Sequence, residues 1–241
     1  MSRITTRLCL DHLKSARVRR ETYVGQWLPE PVVHAAGFTE TPGGDLAQDI
    51  SYALMLALER LSPLERAAFL LHDVFGLPFP EIAETLQRST ATCRQLAARA
   101  RANLRTARPR FAVASAESER IAAMFMQAAQ SGDVTGLRRV LAADAVLHSD
   151  GGGKVRAVLR PIVGVERIAR LFAGLAHKGW PPRSFVAVRI NGLPGFVVHT
   201  PTGITDTYAF EVREQSIRAV YVVRNPDKLR HLRAAGIAGN N

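Results

Sequence analysis

The sequence predicts two domains of different class: an all-α helix-turn-helix module over residues 45–110, then an α+β domain over 117–230 whose helices precede a curved antiparallel sheet. Three observations predict this. Apolar side chains recur at helical spacing from residue 46 until Pro109. After residue 185, short β-branched and aromatic runs alternate with turn dipeptides. At the end of the first pattern, residues 88–110 hold seven arginines and no acidic side chain. With 241 residues, 47% of them hydrophobic, the chain is long enough to bury a core in each domain.

The elements follow in order. Residues 3–20 have a helical pattern, with Ile4, Leu8, Cys9 and Leu13 on one side and Arg3, Arg7, Lys14 and Arg17 elsewhere. Residues 25–44 contain three prolines and four glycines around Trp27-Leu28-Pro29-Glu30-Pro31, which breaks the helix and makes 21–44 a linker that docks through Trp27. Leu46, Ile50, Ala53, Leu54, Ala57, Leu58 and Leu61 mark the next helix. Ser62-Pro63-Leu64-Glu65 is a capping box with proline at the first helical position, so a second helix starts there and ends near Gly76. Pro78 and Pro80 introduce a third helix over 81–87, and Ser89 or Thr90 caps a fourth that runs to about residue 108. In the second domain, helices are expected at 119–130, 134–141 and 165–176, and strands at 185–190, 196–199, 205–212 and 217–223. Residues 231–241 are left as a tail.

The net charge of +11 is mostly local. Residues 117–241 carry 17 Lys and Arg against 10 Asp and Glu, an ordinary balance, so the block at 88–110 is where a polyanion would bind. Cys9 and Cys93 are the two cysteines, and neither has a Cys or His neighbour at metal-ligand spacing. A disulfide framework, a metal site and a cofactor therefore lack support, and no signal peptide or ~18-residue apolar span is evident, which points to the cytoplasm and away from a membrane.

Residues 80–96 have the spacing of two short helices that cross closely at Ala83, with Ile82, Leu86, Cys93 and Leu96 behind. On the fourth helix Cys93, Leu96, Ala97, Ala100 and Leu104 form the buried stripe, leaving Arg94, Gln95, Arg101 and Arg105 outside. Ser89, Thr90 and Thr92 lie at the helix start, where free N–H groups favour phosphate, and Arg94 and Gln95 have the reach to read base edges. The plainer alternative is a helical bundle with a solvated basic face. One feature departs from the usual motif: the turn has no glycine, so Gln87 or Arg88 must take the left-handed conformation at some strain.

Residues 61–76, the run Glu81-Ile82-Ala83-Glu84-Thr85-Leu86 and the run 94–101 together resemble region 4 of an extracytoplasmic-function (ECF) sigma factor. The linker signature Trp27-Leu28-Pro29-Glu30-Pro31, and the runs Asp150-Gly151-Gly152-Gly153-Lys154 and Asn225-Pro226-Asp227-Lys228-Leu229, resemble three signatures of the group with a SnoaL-like C-terminal extension. The resemblance implies an RNA polymerase sigma factor, not an enzyme, whose region 4 reads the −35 promoter element and holds the polymerase β-flap. Thr90, Arg94, Gln95 and Arg99 become the leading DNA contacts, beside Ser89, Thr92 and Arg101. It also implies regulation in cis by the C-terminal domain, through contacts that involve Trp27, Pro29, Asp150, Lys154, Asn225 and Asp227. Residues 1–20 resemble only the last helix of region 2. That leaves two expectations: a piece of a longer protein, or a short relative that does not initiate alone.

A SnoaL-like domain is an α+β cone with an interior pocket. His148, Asp150, Lys154, His199, Asp206, Tyr208 and Arg224 are the polar groups able to face it, and a His/Asp pair there could transfer protons. Structural roles for these residues are the stronger reading, and no obligate small molecule is implied. Asp150-Gly151-Gly152-Gly153-Lys154 is read as a hairpin or bulge, being too short for a phosphate-binding P-loop. Two competing functions stand beside the sigma factor: a SnoaL-like cyclase, isomerase or hydrolase with a DNA-binding appendage, and a one-component regulator that senses a small molecule.

Overall fold

A computed structural model describes residues 23–35, 58, 61–105 and 115–234. The expected helices at 3–20 and 46–61, the end of the fourth helix with Pro109, and the tail beyond residue 234 lie outside the described residues, apart from Leu58 and Leu61. The chain divides into two units: residues 61–105 fall in one, and 24–35 with 115–234 in the other.

The first unit is helical. Helix α1, Pro63–Phe69, starts on the expected capping box, with the Ser62 side chain accepting from the Glu65 N–H and the Glu65 carboxylate accepting from the Ser62 backbone. It continues into a π-helical turn, Leu70–Val74, before Gly76 at φ 68° reverses the chain. Helix α2, Phe79–Leu86, begins after Pro78 in extended conformation, and α3 spans Thr90–Arg105. Ala68, Ile82, Ala83, Leu86, Cys93, Leu96 and Ala97 form one buried cluster, and Leu61, Phe69, Ala100 and Leu104 a second.

Among the described residues the second unit is a seven-stranded sheet with its three longer helices packed on one face. Its elements are β1 Val33–Ala35, α4 Ser115–Ser131, α5 Val134–Val140, β2 Leu141–Asp150, β3 Ile162–Val163, α6 Val165–His177, β4 Ser184–Ile190, β5 Leu193–Thr200, β6 Gly203–Arg213, β7 Ser216–Val223 and α7 Arg230–Ala234. The strand order is β1-β4-β5-β6-β7-β2-β3. Helices α4 to α6 pack on the sheet through Phe125, which meets Phe172 edge-on at 5.0 Å and Phe210 at 5.1 Å. Large aromatic and aliphatic side chains fill this face, including Leu137, Leu147, Ile168, Tyr208, Phe210 and Val222.

The helices expected at 119–130, 134–141 and 165–176 and the strands β4 to β7 are present. The sheet corrects the expectation in one respect: it is mixed, because β2 pairs with β7 in parallel while the other pairs are antiparallel. Residues 141–150 gave no strand signal because Ala142, Ala143, Asp144 and Ala145 are poor strand formers. The strand exists through its neighbour, with a bulge between Leu141 and Val146 that takes up the weak stretch. The run 151–154 is a tight turn that opens the connection from β2 to its antiparallel partner β3, with the Lys154 N–H donating to the Gly151 carbonyl at 3.0 Å.

Candidate functional site

The helix-turn-helix is built as its residues require. Ala83, 8% exposed, lies where α2 meets α3, in one cluster with Cys93, Leu96 and Ala97. Gln87 occupies the left-handed region at φ 53° and ψ 49°, so the strained turn falls on a residue with a side chain. The next residue closes the α2 end, Arg88 N–H donating to the Ala83 carbonyl at 3.0 Å. Ser89 then caps α3: its Oγ accepts from the Thr92 N–H at 3.1 Å and lies 2.8 Å from Thr92 Oγ1. Burial pushes the Cys93 thiol above its ordinary pKa, which makes it an inert core side chain.

The seven DNA-contact candidates are not equivalent. Arg94, Gln95 and Arg99 are exposed, and Thr90 is half-buried at the first turn. The Ser89 and Thr92 hydroxyls bond each other, and Ser89 Oγ takes up the Thr92 N–H at the start of α3. Arg101, expected on the outer face of the helix, is half-buried and its Nε donates to Asp73 at 2.7 Å. Arg99 sits 3.3 Å from Glu65, the capping-box carboxylate. Helical spacing reveals which face a side chain occupies but not which acidic partner another segment supplies, as Glu65 does for Arg99 and Asp73 for Arg101.

A second site joins the linker to the C-terminal domain. Asp150, fully buried at the end of β2, accepts from the Leu28 N–H at 2.8 Å, from Lys228 Nζ at 2.7 Å and from the Gly152 N–H at 2.9 Å. Lys228 Nζ also donates to the Leu28 carbonyl and lies 4.3 Å from the centre of the Trp27 ring. The backbone of Leu28 is thereby gripped at both its polar groups by one buried ion pair, and its side chain is completely buried. On one side, Gln26 donates to the Val158 carbonyl at 3.0 Å and lies 2.9 Å from His148 Nδ1. On the other, His231 Nε2 donates to the Pro31 carbonyl at 2.9 Å and Val32 N–H to Asn191 at 2.7 Å, after which β1 joins the sheet edge. Pro29 is buried within this stretch.

The glycines make room for the grip. A Cβ on Gly151 would stand 2.4 Å from the Val155 carbonyl, and one on Gly152, at φ 59°, 2.2 Å from the Asn225 side chain. Asn225 in turn closes a turn by accepting from the Asp227 N–H at 3.1 Å. Asp227 pairs with Lys154 and, at 2.7 Å, with Arg230, and these hydrogen bonds hold its carboxyl below the ordinary carboxylate range. Nothing in the sequence marks Gln26, His231 or Asn191 as contacts of the linker. Lys228 lies inside a recognised motif, but nothing in the sequence marks it as the partner of Asp150.

Of the seven polar residues named for a pocket, His148 and Tyr208 lie on opposite faces of the sheet. Strand alternation separates them: His148 stacks on Tyr221 at 5.4 Å, on the face opposite to α4, α5 and α6, while Tyr208 belongs to the core cluster beneath those helices. Asp206 pairs with Arg224 and accepts from Thr205 at 2.8 Å. Burial pushes the Tyr208 hydroxyl well above its ordinary pKa, with the Asp206 charge adding to the effect. His199 Nε2 and Trp180 Nε1 are buried without a hydrogen-bond partner among the described residues. Among the described residues no group of His, Cys, Asp and Glu could hold a metal ion.

Residues 51–104 match the family model for sigma-70, region 4. The chain is 36% identical over 244 residues to the ECF RNA polymerase sigma factor SigJ of Mycobacterium tuberculosis, covering 95% of this chain and 77% of that protein. It is 31% identical over 233 residues to the probable ECF RNA polymerase sigma factor SigI of the same organism, covering 96% of this chain and 78% of that one. The crystal structure of the M. tuberculosis extracytoplasmic function sigma factor SigJ superposes with a TM-score of 0.65 at 31% identity, over 87% of this chain and 76% of that chain.

Proposed function

Since the chain belongs to the ECF sigma factors of RNA polymerase, of the type with an NTF2/SnoaL-like C-terminal domain, we propose that its region 4 reads the −35 element and holds the β-flap while the C-terminal domain restrains region 4 through the linker. As a sigma factor it binds RNA polymerase core and promoter DNA, and it is not an enzyme. The observation that supports the −35 reading is the exposed Arg94–Gln95 pair on a helix whose described residues include no acid. Arginine and glutamine both present paired donors or acceptors to base edges in a major groove. The β-flap reading draws support from Phe75, 67% exposed beside the Gly76 turn, a large apolar side chain on the surface of region 4. The site of action is the cytoplasm, where the polymerase works. Among the described residues no helix is long and apolar enough to cross a membrane.

Regulation in cis is supported by the grip of Asp150 and Lys228 on Leu28. Binding of the parent to duplex DNA should weaken steeply as salt rises. Arg94→Ala should lower selectivity by about 1–3 kcal/mol, roughly the worth of one bidentate base contact. Salt-independent binding, or selectivity unchanged in the variant, would overturn the DNA-contact assignment. For the linker, Lys228→Met should alter transcription in a reconstituted polymerase assay without changing the DNA selectivity of region 4. Equal transcription by parent and variant would remove the grip from regulation.

A further inference from the structure

Three arginines on α3 have described side chains, and they are held in two different ways. Arg99 and Arg101 are tied to the carboxylates of Glu65 and Asp73. Arg94 has no carboxylate partner among the described residues; its guanidinium lies over the ring of Phe79, 5.8 Å from the centroid. That ring is itself seated. Phe79 opens α2 directly after Pro78 and packs against the buried cluster of Ile82, Ala83 and Cys93. The His72 ring stacks on it at 4.0 Å with a 30° tilt, and His72 Nδ1 is fixed by donating to the Leu77 carbonyl at 2.9 Å.

We propose that Phe79, seated by His72, is a positioning residue for sequence reading: its π face holds the Arg94 guanidinium in place and thereby sets how sharply Arg94 discriminates its base pair. The inference rests on the reading of α3 as the DNA-contacting helix. An arginine loses much rotamer freedom when it makes a bidentate contact, and a surface that pre-orients the planar fork removes part of that loss. A ring suits the task better than a carboxylate. It attracts the cation without occupying its N–H donors, so Arg94 can keep its seat while donating to a base, whereas Arg99 and Arg101 must give up or share an ion pair.

The test uses the full chain and a duplex DNA library randomised across the upstream promoter element, with affinities read for every base at each position. Arg94→Ala identifies the position that Arg94 reads. Phe79→Leu keeps an apolar side chain of similar size but removes the π face. It is expected to lower discrimination at that same position about two- to five-fold, the scale of an exposed cation–π contact, with little change elsewhere or in the salt dependence. Combined with Arg94→Ala it should add nothing. Phe79→Trp keeps the face and should discriminate at least as well as the parent, and it carries the test if the Leu variant proves unfolded by thermal melting. Loss of discrimination in the Trp variant overturns the proposal, as does a folded Leu variant that discriminates like the parent or weakens all sequences equally. If Arg94→Ala changes no position, the reading of α3 fails and this inference with it; if Arg94→Ala has its effect and Phe79→Leu has none, only the inference fails.

Discussion

Lys228 and Asp150 are 10% and 0% exposed at their side chains, so each is a charge that water barely reaches. A buried pair is not in itself a large source of stability, because desolvation offsets the attraction, but breaking one strands a charge. Lys228→Met should therefore destabilise the C-terminal unit by about 3–5 kcal/mol in denaturant titrations. Adding Asp150→Asn should cost less than the sum of the two single changes, since the second removes the stranded charge. Additive losses would show the two side chains to be energetically independent. Asp227 behaves differently because it lies at the surface. Its folded carboxyl has a lowered pKa owing to Lys154 and Arg230, so the stability it supplies is present above its ordinary value of 3.8 and lost as pH falls through the folded value. Asp227→Asn should thus be destabilising at pH 7, with the difference from the parent shrinking below pH 3.8. A constant difference across that range would mean that the ion pairs contribute nothing.

Among the elements, the glycine turn after β2 is the most constrained. Gly151 faces the Val155 carbonyl at a distance no Cβ tolerates, and that atom belongs to the backbone, so the obstacle cannot rotate away. At Gly152 the obstacle is the Asn225 side chain, which has some freedom, although φ of 59° adds strain of its own. Gly151→Ala is accordingly expected to lower the melting temperature of the C-terminal unit more than Gly152→Ala does. The reverse order would contradict the clash argument. The capping box at α1 is a milder case. Ser62→Ala should cost about 1 kcal/mol, and because Glu65 also holds Arg99, the same change should loosen that arginine on α3. Binding to non-specific DNA checks the second half: affinity should stay equal or rise as Arg99 is freed.

Considered across the molecule, the proposed restraint depends on the linker staying seated on the C-terminal domain. Trp27 lies over Lys228, so Trp27→Ala should loosen the segment, increase protease cutting between residues 110 and 119 and raise the radius of gyration in solution scattering. Identical cutting and scattering for mutant and parent would leave the C-terminal domain an independent module. Much of the architecture was legible beforehand because its signals are local. The Ser62-Pro63-Leu64-Glu65 cap, the proline-marked start of α2, the buried stripe of α3 and the four strands β4 to β7 each follow from propensity and periodicity within a few residues. Even the non-glycine turn at Gln87 could be foreseen, because the helix spacing leaves no other residue for it but Arg88. What the sequence did not reveal are the pairings between distant segments: β2 in parallel with β7, Arg101 with Asp73, Arg94 over Phe79, and Asp150 with Lys228 around Leu28. In each, the residue types permit many partners, and the choice depends on which side chains a completed fold brings within a few ångströms. Local chemistry determined the elements and their ends; only packing decided which charges became partners and which, like Arg94, stayed without an acidic one among the described residues.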